Sequence, residues 1–319
     1  MSTTQRPPRL REGMTLGIVA PSSPVAESAD AARAIARFES LGFQTVLGEH
    51  AREKRGYLAG QDADRADDLL AMLERDDIDA VICLRGGYGA GRLLNTCNTP
   101  ERQARLRQLA GRSPKAVIGF SDVTMVHALI ARELGWTSFY GPVITSFKNA
   151  TDYTIAAFRS ALMDVAPFDV LPSPDDPYLE TIVPGSAEGA LSGGCLSLVI
   201  SLLGTPWEPD LRGKLFFFED VGEEPYEIDK MLTHLIAAGK LQECAGIIIG
   251  ELADCKQRNP TNTLHLGEIF DDLVRPLGIP TLYNLPIGHG KHIATLPLGV
   301  RARLDATAKT LRIIEPGVS

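Results

Sequence analysis

The sequence of 319 residues contains no apolar run near the length of a membrane-spanning helix, which needs roughly 20 apolar residues. Its N-terminal stretch, MSTTQRPPRLREG, carries basic side chains, but no apolar core follows them as in a secretory signal. We therefore expect a protein that acts in the cytoplasm and does not bind a membrane.

Basic clusters and cysteine pairs are also missing. The net charge is −8, and no block rich in Lys and Arg is present to contact the phosphates on which nucleic-acid binding depends. The five cysteines are odd in number, scattered and without a CxxC pair, so we expect free thiols. The expected partner is a small molecule and not a nucleic acid.

The first half of the chain alternates apolar runs with amphipathic stretches. Residues 15–20, 79–85 and 115–120 are continuous apolar runs, which are typical of parallel strands covered on both faces. Helical patterns cover about 26–41 and 62–73. This alternation predicts an α/β layer fold with right-handed crossovers.

The second half begins after a segment rich in proline and aspartate. We predict an N-terminal α/β domain over residues 1–150, a linker over 151–186 and a C-terminal domain over 187–319. The C-terminal domain again alternates helical patterns with apolar runs, at 214–221, 245–252 and 281–286. The alternating segment RARLDATAKTLRIIE predicts a β-hairpin.

Ser121 stands at a sharp corner in VIGFSDVTMV, residues 117–126, where a short strand meets a helical pattern with no loop between them. Such a corner exposes its side chain at the carboxyl edge of a sheet, and the free N–H groups of the helix would face it. Serine is also a preferred N-cap residue, and Val123 replaces the second glycine of the GxSxG elbow. The local sequence therefore leaves two roles open, nucleophile and helix cap.

A serine nucleophile needs a base, and His289 is the best candidate among six histidines. It follows an apolar strand, and Gly288 and Gly290 on either side let its backbone approach other groups closely. His289 and His292 could instead form a metal pair, but no HExxH motif or cysteine cluster accompanies them. We predict no metal.

A base also needs a carboxylate to orient it, and Glu219 and Asp220 follow the apolar run KLFFF. Because side chains alternate along a strand, only one of the two can point toward the base. Either could instead cap the following helix.

The glycine run CLRGGYGAGRLL, residues 83–94, also follows a strand and precedes a helical stretch. It predicts a backbone cradle for an anion, with a plain tight turn as the alternative. Its glycine spacing does not match the dinucleotide fingerprint, and no lysine follows as in a phosphate loop. We expect no cofactor.

Together these motifs resemble the LD-carboxypeptidases of serine peptidase family S66, which includes muramoyltetrapeptide carboxypeptidase and the microcin C immunity peptidases. Nearly the whole chain is covered. The matching segments are GIVAPSSP, YLAG, CLRGGYGAGRLL, IGFSDVT, YGPV, LSGGCLSLV, FFEDVGEEPYEIDKML and GHGKHIATLPLGV. Two positions depart from the family pattern, since Tyr140 and Cys195 stand where His and Asn are frequent.

The resemblance implies a parallel, Rossmann-like sheet flanked by helices, a smaller mixed α/β C-terminal domain and a homodimer. It also implies a catalytic triad of Ser121, Glu219 and His289. The oxyanion hole would be formed by the backbone N–H groups of Gly87 and Asp122.

The reaction implied by the resemblance is removal of the terminal D-alanine from a murein tetrapeptide in peptidoglycan recycling. Arg85 precedes the glycine run, and its guanidinium fork would suit the terminal carboxylate of the substrate. The alternative function is that of an immunity peptidase that cleaves aminoacyl-nucleotide antibiotics. Stacking on the base of such a compound requires an aromatic side chain, and neither Trp136 nor Trp207 is obviously placed for this.

Overall fold

The structure is a computed structural model that describes residues 4–176, 178–258 and 263–319. Its contacts divide the chain into two compact units. Unit 1 contains the chain up to Val165 together with Thr295–Gly299 and Gly317–Ser319. Unit 2 contains Ala166–Ala294 and Val300–Pro316.

Unit 1 is built on parallel strands whose order in the sheet is β5-β4-β3-β1-β2. The strands are β1 (Thr15–Val19), β2 (Gln44–Leu47), β3 (Ala80–Cys83), β4 (Ala116–Gly119) and β5 (Phe139–Tyr140). The helices are α1 (Ser28–Glu39), α2 (Asp62–Glu74), α3 (Ala90–Thr96), α4 (Pro100–Ala110), α5 (Thr124–Leu129) and α6 (Asp152–Leu162). The apolar strands β3 and β4 are buried throughout, which confirms the predicted parallel core.

Unit 2 contains a mixed sheet. Its first strands are β6 (Phe168–Val170), β7 (Glu180–Val183), β8 (Ser186–Cys195), β9 (Leu215–Val221), β10 (Gly246–Ala253) and β11 (Thr281–Leu285). Its helices are α7 (Leu196–Leu202), α8 (Pro225–Ala237) and α9 (Leu266–Ile269). Neighbouring strands from β8 to β11 are parallel, so β9, β10 and β11 end at the same edge.

Three short strands complete the two sheets. β12 (Leu296–Pro297) pairs antiparallel with β5 at the edge of the unit 1 sheet. β13 (Arg301–Asp305) and β14 (Thr310–Ile313) form the predicted hairpin in unit 2. The full order there is β6-β14-β13-β8-β9-β10-β11-β7. The predicted fold class, a parallel α/β sheet with a mixed second domain, is confirmed.

The structure differs from the predicted linker over residues 151–186. This segment contains α6, which buries Phe158 and Leu162 in unit 1. It also contains β6 and β7, which pair with β14 and β11 at opposite edges of the unit 2 sheet. Proline and aspartate are concentrated in the stretch between β6 and β7. Pro177, in this stretch, lies outside the described residues.

All five cysteines are buried free thiols, as expected. Within the described ranges, no helix combines the length and the apolar character needed to cross a membrane.

Candidate active site

Ser121 lies at the corner predicted from the sequence. β4 ends at Gly119, and a single 3-10 turn over Ser121–Val123 leads into α5. The serine has a φ of 63°, a left-handed conformation that is uncommon for a residue with a side chain. Phe120 and Val123 occupy the N-cap positions, so Ser121 does not cap the helix.

Two hydrogen bonds hold the backbone of this corner. The N–H of Ser121 donates to the Tyr140 hydroxyl at 3.1 Å, and its carbonyl accepts from the Thr124 hydroxyl at 2.7 Å. Tyr140, one of the two departures from the family pattern, therefore supports the backbone of the serine. The strained conformation is retained because neighbouring groups fix it on both sides.

The glycine loop between β3 and α3 lies directly against this corner. A Cβ atom at Gly86 would lie 3.1 Å from the Cβ of Ser121. Gly87 has a φ of 113°, and a Cβ atom there would lie 2.5 Å from the Ser23 hydroxyl. The loop can approach Ser121 at Gly86 and Ser23 at Gly87 because these positions lack side chains.

Buried polar side chains fix the same loop. The Asp122 carboxylate accepts the N–H of Ala90, the first residue of α3, at 2.8 Å, and burial raises the pKa of this acid. The buried guanidinium of Arg65 donates to the carbonyl of Gly89 at 3.0 Å. These contacts of Asp122 and Arg65 were not predicted from the sequence, because a charged residue within a helical pattern is normally expected to face solvent.

Arg85 is half-buried beside the loop. Its Nη1 donates to the carbonyl of Pro24 at 3.0 Å. A guanidinium has five N–H donors, so this bond does not exhaust its capacity to bind a carboxylate.

In unit 2, Glu219 and His289 form a close pair. Glu219 is fully buried on β9, and its Oε2 lies 2.6 Å from Nδ1 of His289. Burial lowers the pKa of His289, but the hydrogen bond and charge of Glu219, together with the charge of Asp220, outweigh this effect and raise it overall. The arrangement stabilises an imidazolium and directs Nδ1 toward the carboxylate.

Asp220 points to the opposite face of β9, as strand alternation requires. Its carboxylate accepts the N–H of Ser197 at 2.8 Å and the thiol of Cys195 at 3.4 Å. Asp220 therefore caps α7, which precedes it in the chain. Glu224 occupies the N-cap of the following helix, α8.

The two glycines beside His289 make room for carboxylates. Gly288 has a φ of 111°, and a Cβ atom there would lie 2.1 Å from Oε2 of Glu219. A Cβ atom at Gly290 would lie 1.3 Å from Oε2 of Glu251, on β10. Sequence reasoning identified the glycines but not Glu251, because its position depends on the neighbouring strands.

The other histidines of interest have different partners. Nε2 of His292 lies 3.1 Å from Asp175, so His289 and His292 pair with different acids. His127 is buried against the carbonyl of Gly119 at 2.8 Å, and burial lowers its pKa to about 4. It is the packed core histidine that its helical pattern indicates.

Among the described residues, His50, Glu53 and Asp64 of unit 1 lie close enough together to hold a metal ion. Nδ1 of His50 is bonded to Asp68 at 3.0 Å. None of these residues belongs to the predicted site.

Comparisons with known proteins place this chain in a family. Residues 16–141 match the model of the LD-carboxypeptidase N-terminal domain, and residues 188–304 match that of the LD-carboxypeptidase C-terminal domain. A probable murein peptide carboxypeptidase of Bacillus subtilis (strain 168) is 36% identical, over 100% of this chain and 97% of its own.

Solved structures share the fold over nearly the whole chain. The muramoyltetrapeptide carboxypeptidase from Oxalobacter formigenes is 30% identical, with a TM-score of 0.81 over 95% of this chain and 99% of its own. The microcin C7 self-immunity protein MccF, solved in complex with aspartyl sulfamoyl adenosine, is 24% identical, with a TM-score of 0.87 over 98% and 99%. At that identity the likeness concerns the fold alone. The chain belongs to the S66 family of LD-carboxypeptidases and is therefore a peptidase.

Proposed function

We propose that this protein is a serine-type LD-carboxypeptidase that removes the terminal D-alanine from a murein tetrapeptide in peptidoglycan recycling. The scissile bond joins an L-configured centre of a diamino acid to D-alanine. The observation that carries the proposal is the hydrogen bond of 2.6 Å between His289 and the fully buried Glu219. The names of the murein peptide relatives support the substrate.

In the proposed reaction, Ser121 attacks the carbonyl carbon of the scissile bond and its proton passes to Nε2 of His289. Because Glu219 accepts the Nδ1 proton, the neutral ring carries no proton on Nε2, and this nitrogen acts as the base. The imidazolium then protonates the leaving amine of D-alanine, and an acyl-enzyme remains on Ser121. Water, activated by His289, hydrolyses this ester.

We assign the oxyanion hole to the backbone N–H groups of Gly87 and Asp122. Gly87 belongs to the loop that lies against the serine corner, and Asp122 follows the serine in the chain. The loss of one such donor typically raises the barrier by about 3 kcal/mol. We assign Arg85 to the terminal carboxylate of the substrate, which a guanidinium can bind through two parallel hydrogen bonds.

The test is mass-spectrometric detection of D-alanine released from a murein tetrapeptide. Release by the native protein and its loss in Ser121→Ala would support the reaction and the nucleophile together. Arg85→Lys keeps the charge but not the fork, so kcat/KM is expected to fall. An unchanged value would contradict the Arg85 assignment.

An aminoacyl sulfamoyl adenosine substrate in the same assay tests the immunity-type alternative. Trp136 and Trp207 are both buried, so neither offers an exposed face for stacking on a base. Cleavage of the nucleotide conjugate without release of D-alanine would refute the murein substrate and retain the peptidase.

A further inference from the structure

The carboxyl group of Glu251 lies beside the proposed base without belonging to the proposed triad. It stands near the end of β10, the parallel neighbour of β9, which carries Glu219. Its side chain occupies the space that a Cβ atom at Gly290 would need. Its backbone N–H donates to the carbonyl of Ile287 at 3.2 Å, which joins β10 to the segment leading to His289.

One oxygen of this carboxyl group has no hydrogen-bond donor. Oε2 of Glu251 is buried, and no group among the described residues donates to it. Burying a polar atom without a partner costs free energy, and native proteins retain few such atoms. A ligand that placed a donor beside this oxygen would remove that cost.

The electrostatic surroundings of Glu251 define what kind of donor that is. Burial, followed by the negative charges of Asp176 and Glu219, raises its pKa to about 7. Asp176 is exposed and held in place, because its carboxylate accepts from the Asn284 amide at 3.1 Å and from the N–H of Tyr178 at 3.2 Å. A neutral donor would leave the repulsion between Glu251 and the carboxylates of Asp176 and Glu219 in place, whereas a cation would offset it.

We propose that Glu251, assisted by Asp176, binds the side-chain ammonium of the diamino acid in the murein peptide. An ammonium group carries three donors and one positive charge, so it satisfies the buried oxygen and offsets the neighbouring acids. The diamino acid contributes the carbonyl of the scissile bond, so its side chain belongs near the base. This inference rests on the proposed function and makes Glu251 a specificity determinant, not a member of the triad.

The test compares two tetrapeptides that differ in one group. One contains lysine as the diamino acid, and the other contains norleucine, which has the same side chain without the ammonium. For the native protein we expect kcat/KM to favour lysine by about ten- to a hundredfold, as for a charged hydrogen bond. In Glu251→Gln the preference should fall below about threefold, because the lysine peptide should lose much more kcat/KM than the norleucine peptide. Asp176→Asn should reduce the preference partially.

A matched control is Glu188→Gln, which removes a carboxylate bonded to Arg301 and Arg303 on β13. It should keep the native preference. A Glu251→Gln variant that retains the preference, or that loses both activities equally, would overturn the inference, and thermal melting verifies that the variant is folded. Equal cleavage of both peptides by the native protein would overturn it and leave the proposed function standing.

If the native protein cleaves neither peptide, the proposed function fails. Calorimetric titration of the same two peptides into the native protein then decides the binding claim. Tighter binding of the lysine peptide supports the ammonium site, and equal or absent binding refutes it.

Discussion

At the scale of single residues, the buried contact between Glu219 and His289 determines how the activity should depend on pH. A general base acts in its neutral form, so kcat/KM should rise as His289 loses its proton. Since the pKa of His289 is raised above its ordinary value of 6.5, the midpoint of this rise should lie above pH 6.5.

Glu219→Gln should move that midpoint to lower pH, because the charge that stabilises the imidazolium is removed while burial of the ring remains. The kcat value should fall by about 10²–10⁴-fold, because the ring also loses its orientation. The measurement is the pH profile of kcat/KM for both proteins.

Asp220→Asn is the matched control for this profile. It removes a carboxylate from the other face of β9, where this group accepts from the N–H of Ser197 and the thiol of Cys195. The midpoint should move less than in Glu219→Gln. An unchanged midpoint in Glu219→Gln would contradict the assignment of His289 as the base.

At the scale of elements, the loop after β11 depends on the absence of a side chain at Gly288. A Cβ atom there would overlap the buried carboxylate of Glu219, and the left-handed φ adds strain. We expect Gly288→Ala to lower the free energy of unfolding by several kcal/mol, more than the cost of about 1–2 kcal/mol that is typical of left-handed strain alone. D-alanine release should be lost with it.

Gly278→Ala is the matched control, since Gly278 has a φ of 65° with open space around its Cβ position. It should cost only about 1–2 kcal/mol and leave kcat unchanged. Chemical denaturation and the D-alanine assay measure both quantities. Equal stability losses in the two variants would show that Gly288 is not required by the contact with Glu219.

Elements with a strong local pattern could be predicted, and those defined by distant partners could not. β3 and β4 are continuous apolar runs, so their type and burial follow from the sequence. β6 and β7 are three and four residues long, beside proline and aspartate, and become strands because β14 and β11 lie next to them.

The residues of the candidate site also divide into those with a local sequence signal and those placed by contacts that are distant in the chain. Ser121 and His289 were proposed because each has a local signal, a strand-to-helix corner for the serine and flanking glycines for the histidine. Strand alternation correctly separated Glu219 from Asp220. Arg65 and Glu251 were missed because their contacts come from the packing of loops and strands that are remote in the chain.

At the scale of the whole molecule, the chain passes between the two units four times, after Val165, Ala294, Gly299 and Pro316. Unit 1 is therefore completed by two short segments, Thr295–Gly299 and Gly317–Ser319, each of which follows a segment of unit 2 in the sequence. The homodimer and the cytoplasmic location stay predictions from the sequence.

A fragment of residues 1–165 should therefore be less stable than unit 1 in the intact protein. It lacks β12, which pairs with β5 at the edge of the sheet, and the buried Val318. It also lacks Thr295, which packs against Gly141, so the end of β5 loses its cover. An uncovered edge strand promotes association between chains.

We expect this fragment to melt several degrees below the intact protein or to aggregate, as followed by circular dichroism and light scattering. Joining Thr295–Gly299 to Val165 through a flexible linker restores the β12 pairing and should recover part of the loss. The same segment with Leu296→Ser should not, because Leu296 is fully buried. A fragment of residues 1–165 that melts cooperatively at the temperature of the intact protein would show that unit 1 needs no later part of the chain.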